Sequence, residues 1–277
     1  MNLLHVVSLI AFLNKLRRHF ETSDPGRRVA LEVMFMLPAI VAVGFFGRAA
    51  ASDVIYTPIL TIVFTVTIII RFLLVNEKGD WIFFVIGIVG GGGNDMLSMI
   101  NGVYNYTSMT VLPFLSGLMP CWMIAFWGQV FLLFRKLFNH PWFKGPGFKK
   151  DKELLRGWLS KKLLVDVILL VVLRIAIYRT YLDPILPWLI YGGIVLARFL
   201  VFRPQKHELR IIGILPYAFA FEGLMVAFGL YVYYNPVFLG LPVWMFIWWT
   251  FLVPIVVKQL FDMAEFVLGR KSEVAAK

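Results

Sequence analysis

The chain has 277 residues, of which 60% are hydrophobic and only 16% are charged, and its mean hydropathy is +0.80. A soluble domain carries about a quarter charged residues and cannot bury this much apolar surface, so the composition excludes a water-soluble enzyme and predicts an integral membrane protein. The net charge of +11 is read as a sign of membrane topology, and we expect no nucleic-acid partner.

The N-terminal segment, residues 1–28, is predicted to form an amphipathic helix on the membrane surface. Its apolar stretch precedes the basic residues Lys15, Arg17 and Arg18. This is the reverse of the order in a secretory signal, and no small-residue cleavage site follows. An apolar face beside a basic end is typical of interfacial helices whose cations contact anionic lipid headgroups.

Eight apolar segments follow, several of which approach or exceed the roughly 20 residues that cross a bilayer core. They cover residues 29–47, 53–75, 81–103, 110–138, 163–181, 184–202, 210–232 and 237–265. We predict helices, because lipid offers the backbone no hydrogen-bond partner and these segments are too long for barrel strands. The expected fold is therefore an all-α membrane protein with about eight transmembrane helices. The single cysteine, Cys121, lies in the fourth segment and is interpreted as a packed small residue.

Lys and Arg are concentrated on one side of these predicted spans. Nearly all of the 27 fall in the N-terminal segment, in the second, fourth and sixth loops, and at the C-terminal end. Because basic loops face the cytoplasm, we predict a multi-pass protein of the cell (inner) membrane with both termini in the cytoplasm. Residues 139–162 are then a basic cytoplasmic connector, and the basic loops would meet anionic lipid headgroups.

The second half of the chain repeats the first. At one constant offset, the residues that correspond are Asp95 and Glu222, Gly102 and Gly229, Tyr104 and Tyr231, and Tyr106 and Tyr233. After a small length difference, Trp122 corresponds to Trp244 and Trp127 to Trp249. The series predicts two tandem four-helix units, residues 29–138 and 163–277. Since four is an even number of spans, both units enter from the cytoplasm, and a pseudo-two-fold axis along the membrane normal should relate them.

Asp95 and Glu222 are the candidate catalytic residues. Each lies inside an apolar segment, where an ionised carboxylate costs at least about 2.5–3.5 kcal/mol. A carboxylic acid that stays neutral at pH 7 can donate a proton or a hydrogen bond, as acid catalysis requires. The alternative is structural: two acids that form interhelical hydrogen bonds and hold the halves together.

The matched aromatic residues are candidates for substrate binding. Tyr104 and Tyr106, and in the second half Tyr231 and Tyr233, should lie near the outer end of the acid-bearing helix. The next helix brings the tryptophans Trp122, Trp127, Trp244 and Trp249. Aromatic faces attract positive charge, so an acid beside them suits a reaction through a carbocation. The alternative for the tyrosines is the aromatic belt at the membrane interface.

Three further polar residues complete the predicted binding set. Asn94 and Asn101 flank Asp95 and follow the run Gly90–Gly93, which permits a bend or a close backbone approach. Arg174 is a charge inside the fifth segment, predicted either to pair with Glu222 or Asp95 or to extend toward the interface.

No metal or other cofactor is expected from the sequence. The four histidines, which lie at predicted cytoplasmic boundaries or loops without paired ligand spacing, are His5, His19, His140 and His207. No Walker motif, nucleophile elbow or CxxC pair is present.

One segment of the second half carries a family resemblance. Its residues are Glu222-Gly223, Phe228-Gly229, Tyr231, Tyr233, Gly240-Leu241-Pro242 and Trp244. This series resembles the carotenoid hydratases of bacteria and archaea, which look like part of a wider set that includes the membrane lycopene cyclases. The resemblance implies a cofactor-independent enzyme that protonates an isoprenoid double bond and captures the cation with water, as a lyase, or by ring closure, as an isomerase. The first half departs from the pattern, with Asp95 for the glutamate and Asn101 where the second half has Phe228.

The leading hypothesis is therefore a membrane enzyme of carotenoid type that acts on an isoprenoid lipid. A proton-coupled small-molecule transporter is the first alternative, because membrane carboxylates often carry protons. A non-catalytic subunit of a membrane complex is the second, and in that case the acids would only join helices.

Overall fold

The computed structural model describes residues 3–51, 53–107, 119–145, 156 and 160–275, and this part of the chain is mainly helical. The helices are α1 (Leu3–Phe20), α2 (Pro25–Phe46), α3 (Tyr56–Val75), α4 (Asp80–Ile100), α5 (Cys121–Asn139), α6 (Lys161–Thr180), α7 (Leu186–Val201), α8 (Lys206–Ala227), α9 (Val243–Phe251) and α10 (Lys258–Ala275). A π-helical segment, Ile88–Gly92, lies within α4, and a second one, Leu252–Val257, joins α9 to α10. The short strands are β1 (Tyr104–Tyr106), β2 (Tyr231–Tyr233), β3 (Pro236–Phe238) and β4 (Leu241–Pro242).

Within the described residues, five helices are long and apolar enough to cross a membrane: α2, α3, α4, α5 and α8. Helix α7 is apolar but has only 16 residues, and α6 carries Asp166, Arg174 and Arg179 along its length. Large apolar side chains point outward from the long helices, including Phe45, which is 77% exposed, and Ile62 at 62%. Such surfaces suit contact with lipid. The coarse prediction of an α-helical membrane protein is confirmed.

Several predicted spans need correction at their ends. The last one, 237–265, begins too early, because β3 and β4 form an antiparallel hairpin before α9 starts. The predicted spans 210–232 and 81–103 run past the ends of α8 and α4. Hydropathy misplaced these ends because it does not distinguish a short apolar strand from a helix. Residues 108–118, which include the start of the predicted fourth span, lie outside the described residues.

Helices α4 and α8 end in the same way. Gly102 and Gly229 take positive φ angles of 71° and 75°. Each glycine N–H donates to the carbonyl three residues back, and the next N–H donates to the carbonyl five residues back, at 2.8–3.2 Å. This is the Schellman pattern, which needs a left-handed residue and therefore favours glycine. A short strand follows each glycine, and these strands, β1 and β2, form a two-stranded sheet.

The chain forms two compact units. Unit one comprises residues 1–97 and 106–137, and unit two comprises residues 98–105 and 138–277. In unit one, α3 packs against α1 and α2. The predicted N-terminal helix is present as α1, and its terminal Phe20 ring lies 6.0 Å from the Phe35 ring of α2. In unit two, α6, α7 and α9 pack together around fully buried residues such as Tyr191 and Phe251.

A buried ion network joins four helices of unit one. Arg71 of α3, only 1% exposed, pairs with Glu32 of α2 and lies 2.6 Å from a carboxylate oxygen of Asp80 at the start of α4. Asp80 also accepts from Arg135 at 2.5 Å and from Lys136 at 3.0 Å, both on α5. Removing one partner of such a buried set typically costs about 3–5 kcal/mol, because it leaves an uncompensated charge.

Unit two contains a network that is likewise centred on one buried arginine. Arg198 of α7 bonds Asp166 of α6 at 2.9 Å and reaches Glu208, in the first turn of α8, at 3.5 Å. Gln259 of α10 donates to Asp166 at 3.0 Å. Arg71 of α3 therefore joins an acid of α2 to an acid at the start of α4, and Arg198 of α7 joins an acid of α6 to one at the start of α8. Arg71 and Arg198 are also separated in the sequence by the same offset as Asp95 and Glu222.

Candidate functional site

Asp95 lies in unit one, just after the π-helical segment of α4, and is only 6% exposed. The Tyr106 hydroxyl donates to its Oδ2 atom at 2.7 Å, and the Trp127 indole Nε1–H donates to the same atom at 2.6 Å. Two of the predicted site residues, one from β1 and one from α5, therefore meet the acid directly. These bonds fix the orientation of the carboxyl group.

The glycine run explains how Trp127 reaches Asp95. A β-carbon at Gly91 would overlap the Trp127 indole ring, and one at Gly87 would lie 2.6 Å from the Trp127 carbonyl oxygen. Gly93, in contrast, has open space around the position of a β-carbon. The close approach expected from the sequence is therefore found at Gly87 and Gly91, which contact Trp127, and not at Gly93. The π-helical turn beside them is a feature that recurs at functional sites.

Two other polar groups are buried on α5 in unit one. Trp122 is fully buried, with its ring 6.4 Å from Tyr106 and 5.5 Å from Phe64, and its Nε1 atom has no hydrogen-bond partner among the described residues. The Gln129 amide likewise has no partner within the described part of the chain. Seven residues separate the two, so they share one helix face. A buried polar group without a partner costs about 1–3 kcal/mol, so this face is suited to a polar ligand group.

Glu222 lies in unit two, half-buried near the end of α8, and the Tyr231 hydroxyl donates to its Oε2 atom. An aromatic cluster surrounds this tyrosine. The rings of Tyr231 and Tyr233 are 5.3 Å apart, and Tyr104 lies 6.1 Å from the first and 5.0 Å from the second. Trp244 continues the cluster, 5.7 Å from Tyr233. Four predicted binding residues therefore lie next to one another beside the acid.

The hairpin of β3 and β4 packs onto the helix turn that carries Glu222. Its two turn residues, Leu239 and Gly240, have positive φ angles of 54° and 74°. A β-carbon at Gly223 would lie 2.7 Å from the Leu239 β-carbon, and one at Gly240 would lie 2.7 Å from a methyl carbon of Val226. Holding leucine in the left-handed region costs about 1–3 kcal/mol. The Glu222-Gly223 and Gly240-Leu241-Pro242 motifs thus form one packed corner.

A cavity of about 200 Å³ opens beside this corner. Trp244 lines it and also belongs to the aromatic cluster, and the other walls come from the loop after α6 and from the β3 region, including Asp183, Asn235 and Pro242. The backbone N–H groups of Leu186 and Ile185 hold the pKa of Asp183 below its usual value. The cavity therefore combines an aromatic wall with a carboxylate.

Arg174 of unit two contacts residues that the sequence analysis did not select. Its Nε donates to the Tyr178 hydroxyl at 2.8 Å, its Nη2 donates to Ser98, and its guanidinium carbon lies 4.8 Å from the centroids of both Tyr178 and Trp248. Tyr178 is four residues along the same helix, a spacing that could have predicted the contact. The pairing with Glu222 or Asp95 stays a prediction.

The remaining predicted site residues differ in burial. Asn94 is half-buried, Asn101 is exposed and Trp249 is buried. Among the described residues, no group of three or more His, Cys, Asp or Glu side chains is arranged to hold a metal ion.

In comparisons with known proteins, no family model, no curated protein and no solved structure matches the chain.

Proposed function

We propose that this protein is a membrane enzyme that protonates a carbon–carbon double bond of an isoprenoid lipid of carotenoid type, leading to hydration or cyclisation. The observation that carries the proposal is the Glu222 carboxyl group. It is held by the Tyr231 hydroxyl beside an aromatic cluster, and that cluster reaches a cavity through Trp244.

The proposal includes the architecture of eight spans in two parallel four-helix units, with both termini in the cytoplasm of the cell (inner) membrane. Two pairs of matched features support it. The Schellman ends at Gly102 and Gly229 have the same hydrogen bonds, and the networks around Arg71 and Arg198 join the same three positions in each unit. An internal duplication accounts for both.

Glu222 supplies the proton in this mechanism. Its O–H bond breaks as a new C–H bond forms at one alkene carbon, and the other carbon becomes a cation. The ring faces of Tyr233 and Trp244 attract that cation, at about 0.5–2 kcal/mol for each aromatic contact. In hydration, water adds to the cation and returns a proton to the Glu222 carboxylate. In cyclisation, a second double bond closes on the cation, and a neighbouring C–H bond breaks as its proton passes to the Glu222 carboxylate.

Geometry favours Glu222 over Asp95 as the proton donor. Asp95 is enclosed and accepts two hydrogen bonds at Oδ2, whereas Glu222 is half-buried in a unit whose aromatic cluster adjoins a cavity. An acid that delivers a proton to a substrate must reach it within hydrogen-bond distance. Asp95 then acts as a positioning residue that orders Tyr106 and Trp127.

The test uses cells that accumulate lycopene as the probe polyene. We expect the wild-type protein to convert lycopene to a hydroxylated or cyclised product, and Glu222→Gln to lower product formation by about 10²–10⁴-fold, the usual contribution of a general acid. Asp95→Asn is the matched control at the corresponding position and should retain more activity. Full activity in both variants, at equal amounts of folded protein, would show that the site assignment is wrong.

A proton-coupled transporter is the second candidate, favoured by the buried Trp122 and Gln129 groups on one face of α5. Such a protein should move its solute into vesicles in response to a pH gradient, and Asp95→Asn should abolish that uptake while leaving exchange intact. The enzyme proposal expects no gradient dependence.

A further inference from the structure

A second cavity, of about 140 Å³, lies in unit one at the basic ends of its helices. Its walls come from the end of α1, the loop to α2, the start of α2, the end of α3 and one residue of α5. The charged residues among them are Arg17, Glu21, Arg28, Glu32, Glu77 and Lys136. This cavity is separate from the acid and aromatic residues described above and has no part in the proposed chemistry.

Most of these charges already have partners. Arg28 donates to the Thr22 carbonyl at 2.9 Å and contacts Glu77 at 3.4 Å. Lys136 lies 2.9 Å from Glu77, and Glu32 is bound by Arg71 in the buried network.

Arg17 and Glu21 differ from them. Both are exposed, and neither side chain makes a hydrogen bond or ion pair with the described residues. The cavity lining itself has three cations and three carboxylates. The adjoining network adds Arg71, Arg135 and Asp80, so cations outnumber carboxylates by one over the cavity and network together. This surplus lies next to the guanidinium of Arg17 and suits a single anionic group.

Apolar surface adjoins this charge. Val33, Met34 and Leu37 of α2 are 41–48% exposed and lie in the turns that follow Glu32. On α3, Leu73 and Ile70 are also exposed, immediately before the cavity residue Leu74. A small ion would use only the charged part of such a surface. An amphipathic ligand would use both parts, with its anionic group at Arg17 and its chains along the helices.

We propose that this cavity binds the phosphate group of a membrane phospholipid, with Arg17 as its principal donor and Arg28 beside it. The acyl chains lie along the exposed faces of α2 and α3. A guanidinium is well matched to phosphate, because its planar N–H groups can donate two hydrogen bonds at once. Bound lipid would also attach α1 to the membrane surface next to α2.

The test compares two neighbouring arginines in the full-length protein purified in detergent. Native mass spectrometry with added phosphatidylglycerol should show lipid bound to the wild-type protein. Arg17→Gln should weaken this binding roughly tenfold or more, the effect of losing one charge-assisted hydrogen bond. Arg18→Gln is the matched control, because it removes the same charge from the same exposed helix end but from a residue that does not line the cavity. Arg17→Lys should restore part of the affinity.

Equal weakening by Arg17→Gln and Arg18→Gln would overturn the proposal, since it would indicate general attraction to a basic helix. A separate arm adds inorganic phosphate and follows thermal unfolding. If inorganic phosphate stabilises the protein as strongly as phosphatidylglycerol at equal concentration, the ligand is a free anion and the lipid assignment is wrong. Both variants concern exposed side chains, and circular dichroism of each checks that the fold is intact.

Discussion

The two acids occupy corresponding places in the chain but differ in how they are held. Asp95 accepts from Tyr106, the second tyrosine of its motif, and from Trp127. Glu222 accepts from Tyr231, the first tyrosine of its motif. Glycines in α4 let Trp127 approach Asp95, whereas the hairpin after β2 packs onto the Glu222 turn. The repeated motif therefore specifies an acid bound to a tyrosine, and local packing determines which tyrosine.

In the proposed mechanism this difference separates two roles: the enclosed, doubly bonded acid of unit one orders its neighbours, and the half-buried acid of unit two donates the proton. The ion networks, in contrast, have a similar central arrangement in both units. The helix ends that carry the networks are thus alike, while the two acid sites differ.

Removal of Arg71 or Arg198, the central arginine of each ion network, should have the largest effect on stability. It tests the similarity of the two networks. We expect Arg71→Ala and Arg198→Ala each to destabilise the protein by about 3–5 kcal/mol, because two carboxylates lose their shared cation. Thermal unfolding in detergent measures the loss. A near-neutral result for one variant alone would show that the networks are not equivalent.

One added methyl group at Gly91 should prevent the close contact between Trp127 and α4. Gly91→Ala should cost about 1–3 kcal/mol through overpacking and should change the tryptophan fluorescence as the indole leaves Asp95. Gly93→Ala is the control in the same helix, since nothing lies within 4 Å of its β-carbon position, and it should be neutral or slightly stabilising. Equal effects of the two variants would contradict the packing that we describe.

The tyrosine partners give a stability effect no larger than that of Gly91→Ala, and they give the sharpest comparison. Tyr106→Phe and Tyr231→Phe should each cost about 1–3 kcal/mol, because the carboxyl group of Asp95 or Glu222 loses a hydrogen-bond donor. Only Tyr231→Phe should also lower product formation from lycopene, whereas Tyr106→Phe should act on stability. Activity assays normalised to folded protein distinguish the two, and the reverse outcome would assign the chemistry to unit one.

Hydropathy predicted the long helices well, because a helix that crosses lipid needs a long run of apolar side chains. It failed at β2, β3 and β4, where apolar residues form strands shortly after a residue with positive φ, namely Gly229 for β2, Asn235 for β3 and Gly240 for β4. The ion networks were not predicted, because Glu32, Arg71 and Asp80 are far apart in the sequence and a repeated arginine does not reveal which acids it contacts.

Within the candidate site, the repeat selected the residues that meet Asp95 and Glu222, since a duplicated spacing is visible without a structure. It did not predict that a tryptophan contacts Arg174. Trp248 and Trp249 are adjacent on a helix and face different directions, and only the structure shows that Trp248 contacts the guanidinium. Nor could the sequence show that Trp122 and Gln129 are buried without partners among the described residues.

Deuterium incorporation tests the central claim most directly. Membranes that contain the wild-type protein, incubated in D₂O with preformed unlabelled lycopene, should yield a product with one deuterium atom on carbon, placed there by the Glu222 carboxyl group, and Glu222→Gln should remove this labelled product. A product without carbon-bound deuterium, or labelled product formed by Glu222→Gln at the wild-type rate, would contradict the account.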